Sequence, residues 1–294
     1  MNEKVEISQD YAGPSDLVTD VNTALQTLLE CLSIVRDECA THSVIVVQGF
    51  DDDEVLEATA VYLVSAISQN IDANLKIREA LFEEERISRE LNSDVIFVIG
   101  EHDEDDEFKR MNRDPWMWEG ISHMLLHLSR LDSDFHPIGQ VLAKTSIKYD
   151  VHDHGLDVIA IYDSGVLGIT AGECKAYFSN PTRAILDAAN KLREVDSNIR
   201  DIEIRSAVSQ LRSALDDGMQ RRIAGSFWRN ERSYLPFVCC DEEYSCDWNK
   251  KRKSLRRLDI PVSHKILFPL SLFEARKKFD RICEFMRVYA GIED

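Results

Sequence analysis

Asp157, Glu173 and Lys175 are the residues whose types and spacing could do chemistry. They lie in GLDVIAIYDSGVLGITAGECKAY, residues 155–177, where two apolar runs flank Asp163-Ser164-Gly165. A buried strand pair has no use for two carboxylates and a lysine unless something polar holds them. A three-residue loop of Asp163, Ser164 and Gly165 would put glycine where a left-handed residue is wanted. Tyr162 would then oppose Val166 and Asp157 would oppose Ala171. Alternation places Asp157, Glu173 and Lys175 on one face and Cys174 on the other. Glu173 becomes a diagonal neighbour of Asp157, with Cα atoms about 7–8 Å apart. A two-residue loop would reverse the parity, so the expectation depends on register.

Two carboxylates and a lysine on one face suit metal-assisted phosphodiester hydrolysis. Mg²⁺, or Mn²⁺ in its place, takes hard oxygen ligands, polarises a phosphate and acidifies a bound water. The lysine would position that water or stabilise the charge that develops on phosphorus. The plainer reading is a cross-strand ion pair on a surface, which contributes little. Placement within apolar strands favours the chemistry.

The elements around this hairpin follow from periodicity. Leu17, Val21, Leu25, Leu28 and Leu29 predict a helix over 15–40, and the β-branched run from His42 predicts a buried strand. Asp51-Asp-Asp-Glu suits the N-terminal end of a helix. A charged helix is expected over 74–91 and a second buried strand over 94–100. The acidic run 101–107 reads as a solvated break. Asp114-Pro115 then resembles an N-cap followed by proline. Trp118, Ile121, Leu125 and Leu128 give the following helix a core face, and Glu119, His123 and His127 form a stripe beside it. After the hairpin come helices at about 182–195 and 200–217, strands at Tyr234–Cys240 and His264–Phe268, and a closing helix at about 271–290.

Of the 294 residues, the first 110 hold 26 acidic and 8 basic side chains, so the whole net charge of −18 resides there. That third repels nucleic acid, whereas the neutral remainder can carry basic patches. The densest is Lys250, Lys251, Arg252, Lys253, Arg256 and Arg257, read as a solvated loop or as a contact for DNA or a partner. The acidic third solubilises the chain, docks on a basic partner, or shields the cleft. Seven cysteines without regular spacing fit reduced thiols in the cytoplasm. Cys239, Cys240, Cys246 and His264 match no zinc-knuckle spacing. No apolar run long enough for a membrane span and no secretory h-region is present, so no membrane partner is expected.

Gly155-Leu-Asp, the hairpin, Gly172-Glu-Cys-Lys and two following helices resemble the PD-(D/E)xK nuclease superfamily. With Asp114-Pro-Trp-Met-Trp-Glu-Gly-Ile-Ser-His upstream, residues 111–294 resemble the nuclease subunits of Hachiman anti-phage defence systems. The resemblance implies an α/β fold of the restriction-endonuclease-like kind, a mixed sheet flanked by helices. It divides the chain into an acidic α/β region, 1–110, and a nuclease-like domain, 111–294. It further implies a metal-dependent deoxyribonuclease working with a superfamily-2 helicase, and assigns Asp157 and Glu173 as metal ligands with Lys175 as the catalytic lysine. An upstream helical ligand is common in such enzymes; Glu119 is the first choice and His123 the second. The Gln-x-x-x-Tyr helix motif of RecB-like members is not matched, because Gln210 is followed by Ala214. No Gly-x-x-x-x-Gly-Lys-Ser/Thr loop is present, so a motor would be a separate chain. A non-catalytic docking subunit that keeps the fold, or an RNase, are the alternatives.

Overall fold

The computed structural model describes residues 14–68, 84–101, 104–148, 155–223 and 227–292. Helix α1 (Pro14–Cys31) leads into strands β1 (Ser33–Glu38) and β2 (Ser43–Gln48), then α2 (Asp53–Ile67), α3 (Glu84–Ile99) and α4 (Asp114–Leu128). Strand β3 (Gln140–Lys144) precedes the hairpin β4 (Val158–Asp163) and β5 (Leu167–Ala176). Helices α5 (Pro181–Asp196) and α6 (Asp201–Ser213), strands β6 (Arg232–Asp241) and β7 (Ile266–Leu272), and helix α7 (Ala275–Ala290) complete the order.

The fold is α/β, with one seven-stranded mixed sheet in the order β1-β2-β7-β6-β5-β4-β3. The central β2, β7, β6 and β5 run parallel, while β1, β4 and β3 join antiparallel. The acidic third and the remainder therefore share a sheet through the β2–β7 pairing. The sheet curls: Arg36 on β1 reaches Asp134 at 2.9 Å and the Ser133 carbonyl at 3.2 Å, just ahead of β3.

Each sheet face has its own core, as alternation requires. Val158, Ala160, Tyr162, Cys174, Phe237 and Phe268 pack under α1, α2, α4 and α7. Ile159, Ile161, Ile169, Ala171 and Val238 pack under α5 and α6. Pro181 in the first turn of α5 and the Asn180 side chain, which accepts from the Arg183 N–H, start that helix immediately after β5.

Several expectations need correction. The helix drawn over 15–40 ends at Cys31, and residues 33–38 form the edge strand β1. Most of its side chains face solvent, so no apolar alternation marked it. Residues 94–100 are not a strand but the end of α3. Leu91, Val95, Val98 and Ile99 are buried while Phe97 is 65 % exposed, a helical spacing that a continuous apolar run conceals. Gly100 ends α3 with φ +81°, as a left-handed C-terminal glycine does. Of the charged helix expected over 74–91, residues 74–83 lie outside the described residues, as do 102 and 103 of the acidic break. Asp114 is not an N-cap, because a π-helical turn, Lys109–Arg113, runs straight into α4. Its carboxylate is instead claimed by Arg113, whose Nε lies 3.0 Å away, and by Arg276 at 3.2 Å. Strand β3 was not anticipated.

Candidate active-site cleft

The hairpin decides where the acids stand. Asp163 pairs with Leu167 and Tyr162 with Gly168, so the loop is Ser164-Gly165-Val166. This shifts the expected register by two residues. Gly165 takes φ +94° at the loop's centre, with its N–H donating to Asp163 Oδ1 at 2.8 Å. A shift of two preserves parity, so Asp157, Glu173 and Lys175 still share a face and Cys174 packs in the opposite core. Val158 pairs with Gly172, and one further step along that register sets Asp157 across from Glu173 rather than diagonal to it.

Beyond Gly172, β5 continues to Ala176 while pairing only with β6 on its other side. The site opens in that gap. Freed from the β4 ladder, the Cys174 N–H donates to Asp157 Oδ2 at 2.6 Å, which ties the carboxylate to the strand edge. The chain approaches this point through Leu156, whose N–H donates to Glu203 on α6. Lys175 Nζ donates to Glu173 Oε1 at 2.7 Å and to the Cys174 carbonyl at 3.0 Å. Glu173 Oε2 is buried without a hydrogen-bond partner. An orphaned carboxylate oxygen beside a second carboxylate is costly unless a proton or a cation joins them.

Glu119, on the second turn of α4, lines the same cleft of about 740 Å³ as Asp157, Glu173 and Lys175. Burial, and then the charge of Asp157, push Glu119 up to about 8 and Glu173 up to about 7. Asp157 is also raised by burial, against the pull of Lys175 and its bond from the Cys174 N–H. Burial alone would lower the Lys175 ammonium, but Glu173 and Asp157 outweigh it and hold it charged. The site thus keeps a permanent cation beside carboxylates that bind protons near neutrality.

The donor set fits a hard divalent cation in kind: carboxylate oxygens, one of them unpartnered, while the side chain of Cys174, which also borders the cleft, packs into the apolar core. Among the described residues no three His, Cys, Asp or Glu side chains already form a metal cage. Glu173 Oε1 would have to trade its bond to Lys175, or Glu119 would have to swing inward, to complete one.

His123 is not in this cleft. One turn beyond Glu119, its buried ring contacts Tyr62 Oη at 2.9 Å, the Thr145 carbonyl at 2.8 Å and Lys144 Nζ at 2.8 Å. Burial and the Lys144 charge hold it well below the usual histidine range. The basic run is also elsewhere, in the connection from β6 to β7. Lys250, Lys251, Lys253, Arg256 and Arg257 are exposed and line no part of the cleft. Arg252 is half-buried and donates to the Asp247 carbonyl at 2.8 Å.

The cleft has basic walls that sequence reasoning missed. Arg183 and Lys191 face it from α5, and Arg110 and Arg276 from the other side. Lys191 acts on the charges of both Asp157 and Glu173. Arg183, Asp187 and Lys191 recur at i, i+4 and i+8 on the first helix after Glu-x-Lys, which was a readable signal. Glu203 had no such signal, because its role depends on tertiary placement. No family model matches the chain, and no curated protein or solved structure matches it significantly.

Proposed function

We propose that the chain is a metal-dependent deoxyribonuclease of the PD-(D/E)xK type. In this reading it is the effector of a two-component anti-phage defence system and works with a superfamily-2 helicase. One observation carries the hydrolytic reading. Asp157 and Glu173 face each other across a broken ladder, Glu173 Oε2 has no partner, and Lys175 and Glu119 share the cleft. The mixed sheet with helices on both faces supports the restriction-endonuclease-like comparison. The helicase rests on the family resemblance alone.

Asp157, Glu173 and, after reorientation, Glu119 would hold Mg²⁺ or Mn²⁺. Such an ion, when bound, polarises the scissile phosphate and supplies hydroxide near neutral pH. The chain's own residues do the rest. Lys175, kept charged by its neighbours, offers Nζ hydrogens to the attacking water and to the phosphoryl oxygens. The Cys174 N–H fixes Asp157, so that carboxylate needs little reorganisation when substrate enters. Arg183 and Lys191 attract the flanking backbone.

Purified protein, with and without the helicase, is incubated with Mg²⁺ and linear, nicked or single-stranded DNA, or with RNA. Wild type should degrade DNA, and E173A/K175A should not. DNA cleavage or phage protection unchanged by that double substitution would sink the enzymatic reading. Cleavage confined to RNA would replace DNA as substrate.

A further inference from the structure

Helix α6 carries Arg205, Ser209 and Arg212 at i, i+4 and i+7, one stripe flanking its buried face of Ile204, Ala207, Val208 and Leu211, with Val208 at the edge between them. That stripe is one wall of a pocket of about 510 Å³, closed on the other side by Ile223, Trp228 and Arg229. Arg205 and Arg212 are exposed and have no ion-pair partner among the described residues. Arg229 is anchored to Asp201 Oδ2 through both Nε, at 3.0 Å, and Nη2. The Ser209 hydroxyl turns back to the Arg205 carbonyl at 2.8 Å. Trp228 is only 6 % exposed, and its indole N–H has no hydrogen-bond partner.

Two unpaired guanidinium groups, with a third already held by Asp201, line one concavity, and that excess of positive charge calls for a compact anion with several acceptor oxygens. Phosphate meets that demand better than dispersed carboxylates, because a single phosphate offers enough acceptor oxygens to engage more than one guanidinium at once. We propose that this pocket is a phosphate-binding site separate from the hydrolytic cleft. Its ligand is a phosphate of a nucleic-acid backbone or a free phosphate ion. The first source is favoured by position, since the same helix holds Leu156 through Glu203 beside Asp157. Arg212 lies nine residues further on, about 13 Å along the axis. The inference does not need the cleft to hydrolyse anything.

The test is therefore run in EDTA, where no cleavage can occur. Anisotropy of a labelled single-stranded oligonucleotide is measured against salt for wild type, R205Q/R212Q and R221Q. Arg221 is exposed nearby but lies outside the pocket. The double variant should bind more weakly, and its slope of log affinity against log salt should be shallower by about 1.4, two contacts at roughly 0.7 each. R221Q should keep the wild-type slope, and all three proteins should melt alike. Thermal shift with inorganic phosphate separates the sources: loss of that shift with unchanged oligonucleotide binding assigns the free ion. Both readouts unchanged, or R221Q weakening binding as much as the double variant, would overturn the proposal.

Discussion

Asp157 stands across the broken β4–β5 ladder from Glu173, with its Oδ2 held at 2.6 Å by the N–H of the residue after Glu173. The two acids are thus parts of one unit, joined through the edge of a single strand. If the cleft hydrolyses DNA, D157N and E173Q should each reduce single-turnover cleavage by about 100-fold or more. The double variant should be hardly worse than either single one, because groups acting as a unit are not additive. Additive losses would show that the two carboxylates act separately.

Burial gives these acids a pH signature. Glu119 and Glu173 hold protons to about 8 and about 7 in the fold, whereas 4.5 is usual for glutamate. Between those values the folded state binds more protons than the unfolded chain, so stability falls as pH rises and levels off above the folded values. Burial holds His42, His123, His127 and His136 below their usual value of 6.5, so their contribution runs the other way up to that pH. In metal-free buffer, Tm should therefore drop between about pH 6.5 and pH 8, where only the carboxylates still titrate. E119Q should flatten that slope, and Mg²⁺ should raise Tm most at the alkaline end. A Tm that rose with pH above about 6.5, or an E119Q slope there equal to that of wild type, would contradict the placement of the carboxylates.

The shared face of Asp157, Glu173 and Lys175 was legible because strand parity survives any register shift of two. The register itself was not: Asp163-Ser164-Gly165 and Ser164-Gly165-Val166 are equally long loops, and only cross-strand packing chooses between them. Asp94–Gly100 misled because an apolar run suits a strand or the buried end of a helix. The edge strand β1 misled for the opposite reason, being exposed at all its positions but Ile34. Trp118, Ile121, Leu125 and Leu128, where the helical period was clear, are all buried as expected. Lys191 was within reach of local spacing, whereas Glu203 and the pocket beside α6 are products of tertiary placement.

Gly172 should be a sensitive position for the site. A Cβ there would overlap Val158 Cγ1 and sit 3.0 Å from Phe237 Cε2. Val158 is the direct cross-strand partner of Gly172, and its β-branched side chain has little freedom to move aside. G172A should cost about 1–3 kcal/mol in urea denaturation, as overpacking does. It should also reduce cleavage more than that loss of stability explains, because the strained pair lies one residue from both Asp157 and Glu173. A fully stable and active G172A would show that the ladder tolerates separation at the site.

The cleft wall depends on a buried charge network rather than on apolar packing. Arg113, 2 % exposed, donates to Asp114 at 2.7 Å and to Asp280 on α7, and Arg276 on α7 reaches Asp114 from the other side. This ties the π-helical turn bearing Arg110 and Met111 to the closing helix. Removing Arg113 alone leaves the Asp114 carboxylate buried with only the longer contact to Arg276. R113A should therefore cost about 3–5 kcal/mol, the usual result of breaking a buried pair from one side. R113A/D114A removes the stranded charge as well and should recover part of that loss. The comparison is made by urea denaturation of both variants at one pH. A double variant less stable than R113A would mean that Asp114 supports the turn through contacts other than this ion pair.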